Sequence, residues 1–195
     1  MAPTSQRSTV SSIYRLGHLQ DFLRRATELN QVHNPEDPVH AYLGMDADAW
    51  RAATEGEAPP ARDPAAASEL AIAVVARKSL SSLHREFPTG APAHEQAAYL
   101  LRGFAGLQPF AAASDVTGWD LVAETLEHHG FDLLAESEDG RALVTELWRR
   151  LQASHPRFSR RDLLERDDAF AWLAEWFSAR IVATGVKADI PDRHS

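Results

Sequence analysis

The sequence predicts an all-α fold, and three observations carry that prediction. Apolar residues recur at three- and four-residue spacings along most of the chain, the pattern of helices that bury one face. Proline and glycine fall between those stretches rather than inside them. Nothing alternates with a period of two for long enough to make a strand, and no repeat of 20–50 residues is visible. At 195 residues and 44% hydrophobic, the chain suits a single domain with a real core.

Taken in order, residues 1–10 are expected to be a disordered start and 11–184 a single helical domain. "SSIYRLGHLQDFLRRATEL" places Leu16, Leu19, Leu23 and Ala26 on one helical face behind a capping serine. "NQVHNPEDPVHAYLG" carries two prolines and Gly44, so it reads as a loop around a short turn. "DADAWRAATE" makes about three turns capped by Asp46. The segment 57–68 is a proline- and alanine-rich loop by composition. "SELAIAVVARKSLSSLHREF" follows as a helix with Leu70, Val74, Leu80 and Leu83 turned inward, and "PTGAP" breaks it.

The second half is more strongly patterned. "HEQAAYLLRGFAGL" aligns Ala97, Leu100, Leu101, Phe104 and Leu107 as the stripe of a central helix that Pro109 stops. The next helix starts at Ser114 or Asp115, buries Trp119, Val122, Ala123 and Leu126, and ends at Gly130. Another opens at Ser137 with Glu138 and Asp139, and buries Leu143, Val144, Leu147, Trp148 and Leu151. The last begins after Ser159 and runs unbroken through Phe170, Leu173, Ala174, Phe177 and Ile181; residues 185–195 are a flexible tail.

Composition bounds the function. There is no cysteine, so disulfides, thiol nucleophiles and cysteine-ligated zinc are excluded. No apolar run approaches the ~20 residues of a membrane span, and the N-terminus has no hydrophobic signal core, so a cytoplasmic protein is expected. A net charge of −8 with carboxylates spread along the chain argues against a broad nucleic-acid surface. Eighteen arginines against two lysines, with abundant alanine, point to a GC-rich bacterial genome.

Fragments of the chain also fall in a familiar order: "EFPT" (86–89), "HEQAAYLLRGFAGL", "QPFAAASDVTG", "HGFDL" (129–133), "ESEDGRALVTELW" and "AWLAEW" (171–176). Over residues 86–181, about half the chain, this order and spacing resembles the Fic/Doc family, in particular its small death-on-curing toxins. Those proteins carry a loop reading H-P-F-x-D-G-N-K-R-T-A between two helices. The resemblance implies a Fic/Doc-like helical bundle with a short flap before the central helix, and a nucleotide cleft at the loop. Gln108 stands where the family has its basic histidine, and Ala112 where it has the magnesium-binding acid. Ala113 and Ser114 replace a glycine–asparagine anion nest, and Asp115 and Val116 replace a basic pair. Only Pro109, Phe110 and Thr117 keep family identities in the loop.

Elementary chemistry agrees with that subtraction. Phosphoryl transfer needs a base, a metal ligand and cationic or backbone donors around the phosphate. "QPFAAASDV" offers no base, no metal carboxylate and no cation, and Ser114 or Asp115 is expected to fold back onto the free helix N–H groups. The expected cleft is lined by Gln108, Phe110, Ser114, Asp115, Thr117 and Trp119, with Arg102 either on the surface or facing a pocket. If chemistry has moved, His84, His94 and Asp115 are the candidates, since histidine titrates near neutrality. His128 and His129 are adjacent on a helix and point ~100° apart, which makes them poor co-ligands. "HEQAA" lacks the second histidine of a zinc motif, so no metal or cofactor is expected. Three functions follow. The first is a non-catalytic relative that binds a protein partner or a small molecule. The second is an enzyme reusing the cleft on a small-molecule substrate, and the third is nucleotide transfer through substitute residues.

Overall fold

The computed structural model describes residues 17–55, 64–135 and 137–185. The expectations for residues 1–10, for Leu16, for 57–63 and for the tail beyond Gly185 lie outside the described residues. Eight α-helices are described: α1 (Leu19–His33), α2 (Val39–Leu43), α3 (Ala47–Glu55), α4 (Pro64–Arg85), α5 (Ala93–Leu107), α6 (Ser114–His128), α7 (Ser137–Ser154) and α8 (Asp168–Ser178). A 3-10 helix (Arg160–Leu164) precedes α8, and strands β1 (Phe131–Leu133) and β2 (Ile181–Ala183) make one short antiparallel pair with Asp132 opposite Val182. The described residues are all-α apart from that pair.

Helix α5 is the axis of the molecule. Ala93 and every residue from Gln96 to Ala105 are buried, so the helix is enclosed on all sides rather than on one stripe. It packs on α6, α7, α8 and, more lightly, α4; α1 lies across α6 and α4, and α2 packs against α4. Close approach of α5 and α6 depends on Gly118, where a Cβ would sit 2.6 Å from Phe104 Cβ. Helix α5 ends where Gln108 turns left-handed (φ 46°) ahead of Pro109, and α6 ends at Gly130 (φ 77°), as the sequence predicts.

Several expectations need correction. Helix α1 begins at Leu19 after a left-handed Gly17, and Leu19 itself is exposed while Phe22, Leu23 and Ala26 enter the core. The predicted loop after it holds α2, with the Asp37 carboxylate accepting the Val39 N–H ahead of its first turn. Helix α4 takes in 64–68, because proline, which lacks an N–H, is tolerated at a first helical position where an N–H would have no partner within the helix. Its buried face is Ala73, Ala76, Leu80 and Leu83; Val74 falls between those positions and is exposed. The segment before α5, residues 86–92, runs as turns and a bend. The predicted last helix is two: Ser159 and Asp162 cap each other reciprocally and open the 3-10 helix, and the chain then restarts at Asp167, whose carboxylate accepts the Phe170 N–H. Ile181 is buried on β2, not on a helix.

Candidate functional site

The loop between α5 and α6 is held by buried polar bonds rather than equipped with reactive ones. Asn30, fully buried on α1, donates through Nδ2 to the Ala112 carbonyl (3.0 Å) and to Thr117 Oγ1 (2.9 Å). Its Oδ1 accepts from His40 Nε2 at 2.8 Å, which fixes the imidazole tautomer. Burial pushes His40 below its ordinary pKa, the Asp37 charge only partly offsetting this, so the ring is neutral. Thr117 in turn donates to the Ala113 carbonyl at 2.7 Å. Ser114 does not cap α6. Its hydroxyl accepts the Phe110 N–H (3.0 Å) and donates to the Phe110 carbonyl (3.1 Å), closing the loop on itself. The cap position belongs to Ala113, an alanine in the left-handed region at φ 57°, ψ 23°. Asp115 does fold back, accepting the Val116 N–H at 2.9 Å.

A cleft with room for a ligand lies beside this loop, between α1, α6 and α7. It encloses about 580 Å³ and is lined by His33, Asp115, Val116, Trp119, Asp120, Gly140, Arg141, Val144 and Thr145. Trp119 forms its apolar wall, stacked on Phe177 at 6.5 Å between ring centroids and edge-on to Trp176 at 6.0 Å. Gly140 on α7 admits that indole: a Cβ there would come within 2.7 Å of the ring. His33 Nε2 lies 2.6 Å from Asp120 Oδ2, while the exposed Arg141 lines the cleft from α7 without an ion pair among the described residues. The polar groups are thus two carboxylates, one imidazole, one hydroxyl and one cation around an indole.

The predicted lining divides. Asp115 and Trp119 line this cleft. Gln108 and Phe110 instead border a shallow depression against α4 beside Ile72 and Val75, and Ser114 and Thr117 are buried in the loop's bracing. Arg102 neither lies on the surface nor faces the cleft. It is 1% exposed, donates to the Asp162 carbonyl (2.7 Å) and to Asp167 Oδ2 (2.7 Å), and lies over the Phe158 ring. His84 and His94 do not line the cleft either. His84 Nε2 is 2.9 Å from the Gly17 carbonyl, with its ring against Phe22. His94 is half-buried, and burial lowers its pKa against the weaker pull of Glu95.

Sequence reasoning leaves His33 in the polar loop that follows α1, whereas it is the last residue of that helix, and it misses Asp120, Arg141 and a second group around His155. His33, Asp120 and Arg141 stand on different helices, and no spacing connects them. His155 sits at the end of α7 with Nε2 2.6 Å from Asp167 Oδ2, and the Asp162 and Glu165 carboxylates lie within 4 Å of the ring nitrogens. The signal available was a histidine–proline step closing α7 ahead of the acidic "RRDLLERDD". No family model, no curated protein and no solved structure matches the chain. No helix among the described residues is long and apolar enough to cross a membrane.

Proposed function

We propose that this protein acts by binding a small polar molecule in the α1–α6–α7 cleft, and that it does not transfer phosphoryl or nucleotidyl groups. The observation that carries the reading is the built aromatic wall. Trp119 is fixed by Phe177 and Trp176 and admitted by Gly140, inside a volume in the range of small-molecule sites. Asp115 and Asp120 on one side and Arg141 on the other suit a ligand with an amine at one end and a carboxylate or carbonyl at the other. Asp115 in the first turn of α6, with Asp120 in the next, repels a polyphosphate and offsets the attraction of the helix N-terminus for anions. A Fic/Doc-like origin for the junction belongs to the same proposal. It is supported by the order of the sequence fragments and by left-handed Ala113 at the position matched to the family's glycine. The concavity of the site favours a small molecule over a protein partner.

A thermal-shift screen tests this, comparing amine-bearing and uncharged metabolites with ATP and GTP, each with and without magnesium. A ligand at a hundredfold excess over its Kd adds about 2.7 kcal/mol of stability. The expected result is a rise with a zwitterionic or amine compound that Trp119→Ala abolishes. A magnesium-dependent rise with a nucleotide refutes the reading and restores transfer through substitute residues.

One observation favours a second reading, an enzyme working in the same cleft. The His33–Asp120 pair has the geometry of a carboxylate-oriented general base. Turnover of a bound compound that His33→Asn stops, with binding retained, decides for it.

A further inference from the structure

We propose that His155, Asp162 and Glu165 form a binding site for a divalent transition metal of the zinc type. The three residues come from the end of α7, the 3-10 helix and the residue that follows it. One ligand atom from each lies within 4.8 Å of the others. His155 Nδ1 lies 3.8 Å from Asp162 Oδ1, and Glu165 Oε2 stands 3.9 Å from the other ring nitrogen, Nε2. The first distance is too long for a hydrogen bond, yet it falls inside twice a zinc–ligand bond, roughly 4.2 Å. Side chains that stop at this spacing leave room for an ion between them.

A residue outside the ligand set orients the imidazole. Asp167 Oδ2 lies 2.6 Å from His155 Nε2, and Asp167 is itself anchored by buried Arg102 and by the Phe170 N–H. Metal-binding histidines almost always give their second ring nitrogen to such a carboxylate. With Nε2 engaged, Nδ1 is the free donor, and it faces Asp162. Asp162 is held likewise: its Oδ2 accepts the Ser159 N–H and hydroxyl, which leaves Oδ1 toward the histidine. The Glu165 carboxylate accepts no hydrogen bond among the described residues and belongs to the same cluster, one ligand atom of each residue lying within 4.8 Å of the others.

Charge points the same way. Asp162, Glu165 and Asp167 gather around His155, and Arg102 alone among the arginines pairs with them. Arg160 and Arg166 reach away to Glu86 and Glu95. Three negative charges against one leave an excess of two, which a divalent ion neutralises. An imidazole with two carboxylates favours zinc, cobalt or manganese over magnesium or calcium, which prefer an all-oxygen shell.

The test uses the full chain stripped with EDTA, titrated calorimetrically with Zn²⁺ and followed by visible absorption with Co²⁺. One ion per chain is expected, with Glu165→Gln and His155→Gln each weakening affinity by roughly 10–100-fold, on the scale of lost metal-shell contacts. His128→Gln/His129→Gln should bind as the wild type does, which separates the site from surface histidines. The Glu165 side chain is exposed and holds no other residue in place, so its variant tests binding without disturbing the fold. Nitrogen NMR of His155 provides a second measurement: Zn²⁺ should shift Nδ1 and leave Nε2 protonated. Absence of saturable one-to-one binding, or binding that neither variant weakens, overturns the proposal and leaves the cluster as an ion-pair network.

Discussion

Two connections differ in what they do with their polar groups: the loop 108–113 between α5 and α6, and the segment 155–167 between α7 and α8. In the first, Asn30, Thr117, Ser114 and His40 direct their hydrogen bonds to backbone carbonyls and to one another. What remains outside is alanine and the amide of Gln108. In the second, four ionisable side chains converge on one another over a few ångströms, with only Arg102 buried beneath them. The first is a scaffold whose function is to place α6 and hence Trp119. The second concentrates charge and so concentrates chemistry. Polarity in a connection therefore says little until one knows whether its partners are backbone or side chain.

The largest effect should come from breaking the charged connection at its base. Arg102→Met leaves Asp167 mostly buried without its cation, a loss of about 3–5 kcal/mol by analogy with other severed buried pairs. Urea denaturation at pH 7 measures it. The loss should also depend on pH in a definite sense. Burial works to raise the Asp167 carboxyl, but the Phe170 N–H, Arg102 and His155 outweigh it and hold it below the ordinary 3.8. A depressed carboxylate stabilises the fold above its unfolded value and loses that contribution as pH falls through the folded one. The gap between wild type and variant should therefore be full at neutral pH and narrow below about pH 4. A gap that stays constant would mean that packing, not charge, accounts for Arg102.

Asn30→Ala applies the same blow to the braced loop and should cost less, about 2 kcal/mol, because it orphans neutral groups, the Ala112 carbonyl and His40 Nε2. Amide exchange should quicken at the start of α6 and leave α8 unchanged. Equal quickening at both places would show that the two connections are one cooperative unit rather than two independent ones.

What the sequence made legible follows from the same distinction. Helices α5, α6 and α7 could be read because their signals are local: a three-to-four period, Pro109 after one, Gly130 after another. Trp119 could be placed near a cleft because it lies one turn into α6. Arg102 could not be placed, since its partner Asp167 is 65 residues away. The His33–Asp120 pair spans 87 residues and belongs to two helices that each look complete alone. The split of the last helix was hidden for a different reason. Ser159–Asp162 and Asp167 are both good caps, and a sequence does not say that the chain uses both.

The smallest effect sharpens the comparison most finely, because its sign is informative. An alanine at φ 57° carries roughly 1–2 kcal/mol of steric cost, which the bonds to the Ala112 and Ala113 carbonyls force on the junction. Ala113→Gly relieves that cost but enlarges the unfolded ensemble, a penalty of about 0.4–1 kcal/mol. The relief outweighs the penalty, so a gain of about 0.5 kcal/mol is expected. The same exchange at Ala171, exposed within α8, meets an ordinary helical backbone and should lose about 1 kcal/mol. Paired urea midpoints thus read backbone strain directly, with one substitution moving in opposite directions at the two sites. If both variants lose stability alike, the bracing does not hold Ala113 left-handed in solution, and the loop is then too loose to serve as the scaffold that places α6.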